Sequence, residues 1–138
     1  MKQLRVWIGL ILLLGLSACN LEDDQVNYHF VPLQITSVEL PESFELNTTY
    51  EVSVTFIRPN TCVFFEGFDI RKADTTVRNV VAIGSELEDQ ECAQVVEEVT
   101  ATFNFLCLYS QPYVFRFWTG EDENGVSEYF EITVPVNP

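Results

Sequence analysis

Val99, Ala101, Phe103, Phe105 and Cys107 alternate with Glu98, Thr100, Thr102 and Asn104. A strand turns successive side chains to opposite faces, whereas the apolar positions of a helix recur at intervals of three and four. This run of period two therefore predicts a half-buried β-strand. The pattern repeats along most of the chain, in short stretches rich in Val, Ile, Thr, Phe and Tyr separated by Pro, Asn, Gly and acidic residues.

Seven strands are predicted, over residues 33–40, 49–58, 62–70, 76–83, 95–107, 113–118 and 128–136. In the second, Tyr50, Val52, Val54 and Phe56 share a face, and Pro59-Asn60 supplies turn chemistry at its end. In the third, Cys62, Phe64, Phe68 and Ile70 share the core face, which turns Phe65 outward. In the sixth, Tyr113, Phe115 and Phe117 face the core, and residues 121–125 provide a hairpin loop. One segment conflicts with an all-β reading. Ser85-Glu86-Leu87-Glu88 matches a helix capping box, so a short helix is expected before the fifth strand.

Seven short strands in roughly a hundred residues predict an antiparallel β-sandwich over residues 31–138. The layout resembles immunoglobulin-like and fibronectin-like domains, and Tyr113 at the start of the sixth strand resembles their tyrosine corner. The chain departs from antibody domains in lacking paired cysteines on the second and sixth strands and a Trp on the third.

The first eighteen residues have another character. Lys2 and Arg5 precede an apolar run over residues 6–14, too short for the ~20 residues that span a membrane, and small residues follow. This is the layout of a cleavable export signal, helical while it lasts, over residues 1–18. Leu16-Ser17-Ala18-Cys19 resembles the lipobox of type II signal peptides of bacterial lipoproteins. That resemblance implies lipidation of Cys19 and an anchor of two or three acyl chains, and two chains already hold a protein stably on a membrane. Glu22-Asp23-Asp24 makes residues 19–30 an acidic linker. It loosely resembles the stretch behind the lipidated Cys in surface lipoproteins of Bacteroidota-type bacteria, although acidic residues also serve simply to keep a linker solvated. The expected location is the cell envelope, at the outer membrane.

Removing residues 1–18 leaves 120 residues, one domain of ordinary size. It also leaves 5 basic against 21 acidic residues, a formal charge of −16. Nucleic acid needs a basic face and is excluded as a partner. Three cysteines follow Cys19, in a compartment where disulfides persist. If strands run alternately up and down, Cys62 and Cys92 begin their strands at the same end, while Cys107 lies about 30 Å away at the far end of the fifth. Bridged Cα atoms lie within ~7 Å, so Cys62–Cys92 is the expected disulfide and Cys107 a buried thiol. The pairing depends on the fourth strand being present.

Nothing in the chain forms a recognisable catalytic device, so no enzyme activity, cofactor or metal site is assigned. His29 is the only histidine, and the chain has no nucleophile elbow, Gly-rich phosphate loop, Cys-x-x-Cys or His-Glu-x-x-His. Two acidic clusters, Glu86/Glu88/Asp89/Glu91 and Glu121/Asp122/Glu123, contain oxygen ligands suited to calcium but lack the spacing of a calcium loop. Asp74-Thr75-Thr76 resembles the tripeptide at which Bacteroidota-type bacteria O-glycosylate exported proteins. Phe65, Arg116 and Trp118 are the candidate binding surface, for a glycan ring or another envelope protein. The reading is a membrane-anchored, non-catalytic β-sandwich presenting a binding or structural module. The alternatives are an accessory subunit of an outer-membrane complex, a small calcium- or glycan-binding protein, or a hydrolase.

Overall fold

The computed structural model describes residues 25–138, so the export signal, Cys19 and Glu22-Asp23-Asp24 lie outside the described residues. Ten strands follow one another: β1 (Tyr28–Leu33), β2 (Ile35–Glu39), β3 (Phe44–Glu45), β4 (Thr49–Arg58), β5 (Val63–Asp74), β6 (Val77–Leu87), β7 (Glu97–Leu106), β8 (Tyr113–Glu121), β9 (Ser127–Val134) and β10 (Val136–Asn137). The larger sheet has the order β5-β6-β8-β9, with β1 beside β6; the smaller is β2-β4-β7. Their apolar faces enclose one core, so the chain is an all-β sandwich.

All pairings are antiparallel except β6 with β8 and the two-residue ladder of β10 with β3. β5 runs along one edge of β6. Its other edge is shared, with β1 opposite Ala82 to Leu87 and β8 opposite Val77 to Val80. β1 and β2 are one extended stretch that changes sheet at Gln34, whose carbonyl accepts the Ile57 amide at 2.9 Å. The strand expected over residues 33–40 is β2, and β1 is a further strand ahead of it, so the sandwich starts at Tyr28, slightly before residue 31.

The period-two reading of β4, β7 and β8 holds. Val52, Val54 and Phe56 are fully buried, as are Tyr113, Phe115 and Phe117, while Thr55 and Thr100 hydrogen-bond across the outer face at 2.8 Å. Each such apolar side chain contributes roughly 1.5–3 kcal/mol on burial. Phe44, from the two-residue β3, sits among the rings of Tyr50, Phe105, Tyr113 and Phe115 at centroid distances of 4.9–6.0 Å.

β5 corrects the expected facing. The ladder passes from Phe65 opposite Gly84 to Gly67 opposite Ile83, leaving Glu66 as an extra residue in a bulge. Parity therefore changes midway: Val63 and Phe65 face the core before the bulge and Phe68 after it. Phe65 lies 4.6 Å from the Phe56 ring and 5.1 Å from Phe68, and Phe64 is the exposed one.

The helix expected from Ser85 does not form. Ser85 belongs to β6, where its hydroxyl donates to Glu66 at 2.6 Å, and residues 88–96 form an irregular link to β7. Pairing on both edges of β6 outweighs a local capping signal worth about 1 kcal/mol. The link is tied down by the Cys62–Cys92 disulfide, with Cα atoms 5.5 Å apart, and by the Thr61 amide donating to the Ala93 carbonyl. Cys107 is the buried free thiol.

Candidate functional site

The larger sheet presents its outer face in two rungs across four strands. Arg71, Asn79, Arg116 and Glu131 stand opposite one another in register; beside them lie Asp69 opposite Val81 and Trp118 opposite Tyr129. Asp69, Arg71, Asn79, Val81, Trp118 and Tyr129, with Pro32 of β1 and Glu121 and Ser127 of the β8–β9 hairpin, line a hollow of about 310 Å³. A second, of about 270 Å³, lies across Trp118 and Pro32 and is walled by Leu33, Gln34, Ile57 and Pro59. Trp118 and Pro32 line both.

Ion pairs hold the polar rung in place. Arg71 Nε donates to Asp69 Oδ2 at 2.9 Å, two positions back on the same face. Arg116 Nε donates to Glu131 Oε1 at 3.0 Å, while its guanidinium sits 4.5 Å from the centre of the Tyr129 ring and one nitrogen reaches Asn79 Oδ1 at 3.5 Å. Exposed pairs of this kind contribute little stability, about 0–1 kcal/mol. Arg71 and Asp69 both line the hollow, whereas Arg116 lies outside it and packs on the ring of Tyr129, which does line it.

A bulge shapes the other end. Register shifts between Trp118 and Gly120, and Gly120 takes φ +133°, a region that L side chains rarely adopt. Gln34 packs over it, with Nε2 2.9 Å from where a Cβ would stand. This close approach places Gln34 and Pro32 alongside Trp118.

Of the residues expected to form a surface, Arg116 and Trp118 share the outer face of β8. Phe65 does not join them, because the Glu66 bulge turns it inward. Trp118 is only 8% exposed and forms the wall between the two hollows, so it is not an open aromatic platform. Asp69, Arg71, Asn79 and Tyr129 share the same face. The hairpin loop at 121–125 implies that β8 and β9 pair, but on its own it would set Phe130 opposite Arg116; the bulge between Trp118 and Gly120 sets the register that brings Glu131 opposite Arg116 and Tyr129 opposite Trp118. No local signal announces the parallel β6–β8 pairing that brings in Asn79.

Of the acidic clusters, Glu121 lines the hollow, while Glu86, Glu88 and Asp122 have partners of their own. His29 Nδ1 lies 3.0 Å from Glu88 and Nε2 3.6 Å from Glu86. Asp122 Oδ1 accepts the amides of Asn124 and Val126 and so builds the hairpin turn. Among the described residues, no three His, Cys, Asp or Glu side chains converge as a metal cluster. Thr75 is exposed in the two-residue β5–β6 turn, and the exposed rings of Tyr28 and Phe30 meet edge to face at 5.6 Å where the chain enters β1.

Comparison of the chain with protein-family models, with curated proteins and with solved structures finds no match.

Proposed function

We propose that the chain is an exported lipoprotein, anchored through Cys19, whose β-sandwich is a non-catalytic binding module that uses the outer face of its larger sheet. The single observation that carries the binding half is the pair of hollows flanking Trp118, one of them lined by Asp69, Arg71 and Asn79. Recognition sites are concave surfaces in which a few fixed polar groups set orientation, and this face has that character.

The anchoring half rests on Leu16-Ser17-Ala18-Cys19 behind a short apolar segment. The Cys62–Cys92 bridge adds support, because such bonds persist in oxidising compartments outside the cytosol. Tyr28 opens the sandwich nine residues after Cys19, so at about 3.3–3.6 Å per residue the domain stands within roughly 30 Å of an anchoring membrane.

Mass spectrometry of the mature N-terminal peptide from the full-length protein expressed in a diderm bacterium tests the anchor. A diacyl or triacyl Cys19, and release from the membrane fraction on Cys19→Ser, are the expected results. An unmodified N-terminus overturns the anchor. Protease treatment of intact cells reports the face: cleavage places the module outside, and protection directs it toward periplasmic partners.

A further inference from the structure

We infer that the hollow beside Trp118 binds a neutral saccharide, with Asn79, Asp69 and Arg71 hydrogen-bonding its hydroxyls and with Tyr129 and the small exposed part of Trp118 against its C–H surface. The inference rests on the proposal that this face is the binding surface, and it names the ligand class.

Charge excludes one class. Arg71 and Arg116 are each neutralised by a carboxylate on the same sheet face, at 2.9 and 3.0 Å. The remaining charge at the rim is Glu121, and the whole chain carries −14. A phosphate, sulfate or uronate in the hollow would meet one guanidinium, that of Arg71, already paired with Asp69 and set in a negative field, so anions are disfavoured. Polarity excludes another. A purely apolar ligand would strip water from Asp69, Arg71, Asn79 and Glu121 without replacing their hydrogen bonds, at a cost of about 1–3 kcal/mol for each group left unpaired. What fits is a ligand with hydroxyls that both donate and accept, together with an apolar face.

Sugar rings have that combination. The carboxylate of Asp69 accepts, the Arg71 guanidinium has donors left after its single bond to Asp69, and the Asn79 amide does both. At about 310 Å³ the hollow lies at the small end of ligand sites. The adjoining space of about 270 Å³, walled by Pro32, Ile57 and Pro59 with one amide from Gln34, would extend contact to a neighbouring ring across Trp118.

Trp118 supplies the readout. Trp7 precedes Cys19, so the processed chain has Trp118 as its only tryptophan. Full-length lipoprotein in detergent micelles is titrated with short neutral oligosaccharides of glucose, galactose, mannose, xylose and N-acetylglucosamine, with oligogalacturonate and oligolysine for comparison. Trp118 fluorescence and calorimetry are both followed. The expected result is saturable binding of at least one neutral series, weakened about tenfold or more by Asn79→Ala, abolished by Ser127→Trp, which fills the hollow, and unchanged by Thr100→Ala on the opposite sheet. Circular dichroism confirms that each variant is folded. Binding of oligolysine or oligogalacturonate alone, sensitive to Ser127→Trp, overturns the saccharide and leaves the binding face standing. Neutral sugars bound equally by wild type and Ser127→Trp overturn the site. No binding by any probe overturns the saccharide reading, whatever the state of Cys19.

Discussion

Tyr113 reaches back to Leu108, whose amide donates to the phenolic oxygen at 3.2 Å, and the Tyr109 amide donates to the same oxygen at 3.1 Å. The ring is fully buried beside Phe44 and Phe105, so the hydroxyl is the partner that the turn into β8 uses for two donors. Tyr113→Phe keeps the ring and orphans both amides. The expected loss is about 1–3 kcal/mol, read as a lower urea midpoint with an unchanged slope. An unchanged midpoint would show that water replaces the hydroxyl there.

This corner was legible because it is local: an apolar strand start, and a Tyr a few residues beyond the preceding strand. The alternation of β4, β7 and β8 was legible for the same reason. Glu66 marks where local reading stops, since nothing in Phe64-Phe65-Glu66-Gly67-Phe68 says which residue is extra until β6 pairs alongside. Ser85 failed in the opposite sense. Its capping pattern is genuine in isolation, but pairing to β5 and β1 on both edges of β6 places it in a strand. The binding face was half legible, because Arg116 and Trp118 sit on one strand while Asp69, Arg71 and Asn79 arrive through strands distant in sequence.

The disulfide closes a loop between residues 30 apart. Chain-entropy estimates for a loop of this size give about 3–4 kcal/mol. Cys62→Ser, Cys92→Ser and the double variant should therefore lose similar amounts, since either change opens the same loop. Guanidinium unfolding compares them. A double variant that loses the sum of the two single losses would show that the side chains act through packing and not through the bridge.

Cys107 connects stability to alkaline pH. Burial raises its thiol above the ordinary value of 9.0, and a hydrogen bond with the Tyr109 backbone acts in the opposite sense. The unfolded thiol ionises first as pH rises, while the buried one stays protonated. Ionisation thus draws the equilibrium toward the unfolded chain: this contribution is fully present below about pH 9 and is lost as pH climbs toward the folded value. The stability difference between wild type and Cys107→Ala should shrink above pH 9, and a thiol reagent should label the native protein only as fast as it opens. Rapid labelling at neutral pH without unfolding would contradict a buried thiol.

Gly120 combines a strained φ of +133° with the near approach of Gln34. Gln34 is a flexible side chain and can withdraw, so the backbone conformation is the larger obstacle. Gly120→Ala should cost about 1–3 kcal/mol and disturb Trp118 fluorescence as Gln34 leaves its place. Gly120→Ala combined with Gln34→Ala should recover little of that loss. Full recovery would assign the effect to the side-chain clash.

Phe64 and Phe65 are adjacent in sequence and placed on opposite faces, which gives the sharpest test of the β5 bulge. Phe65 packs on Phe56 and Phe68, whereas Phe64 is 46% exposed with Arg58 above its ring at 5.4 Å. Removing a large core side chain leaves a cavity and costs several kcal/mol, while surface truncations stay within about 0.5–1 kcal/mol. Phe65 is half-buried, so Phe65→Ala should lose about 2–3 kcal/mol, and Phe64→Ala less than about 1 kcal/mol. Chemical denaturation of the two variants decides between the faces. The reverse order would restore an unbroken alternation through Glu66 and return Phe65 to the outer surface.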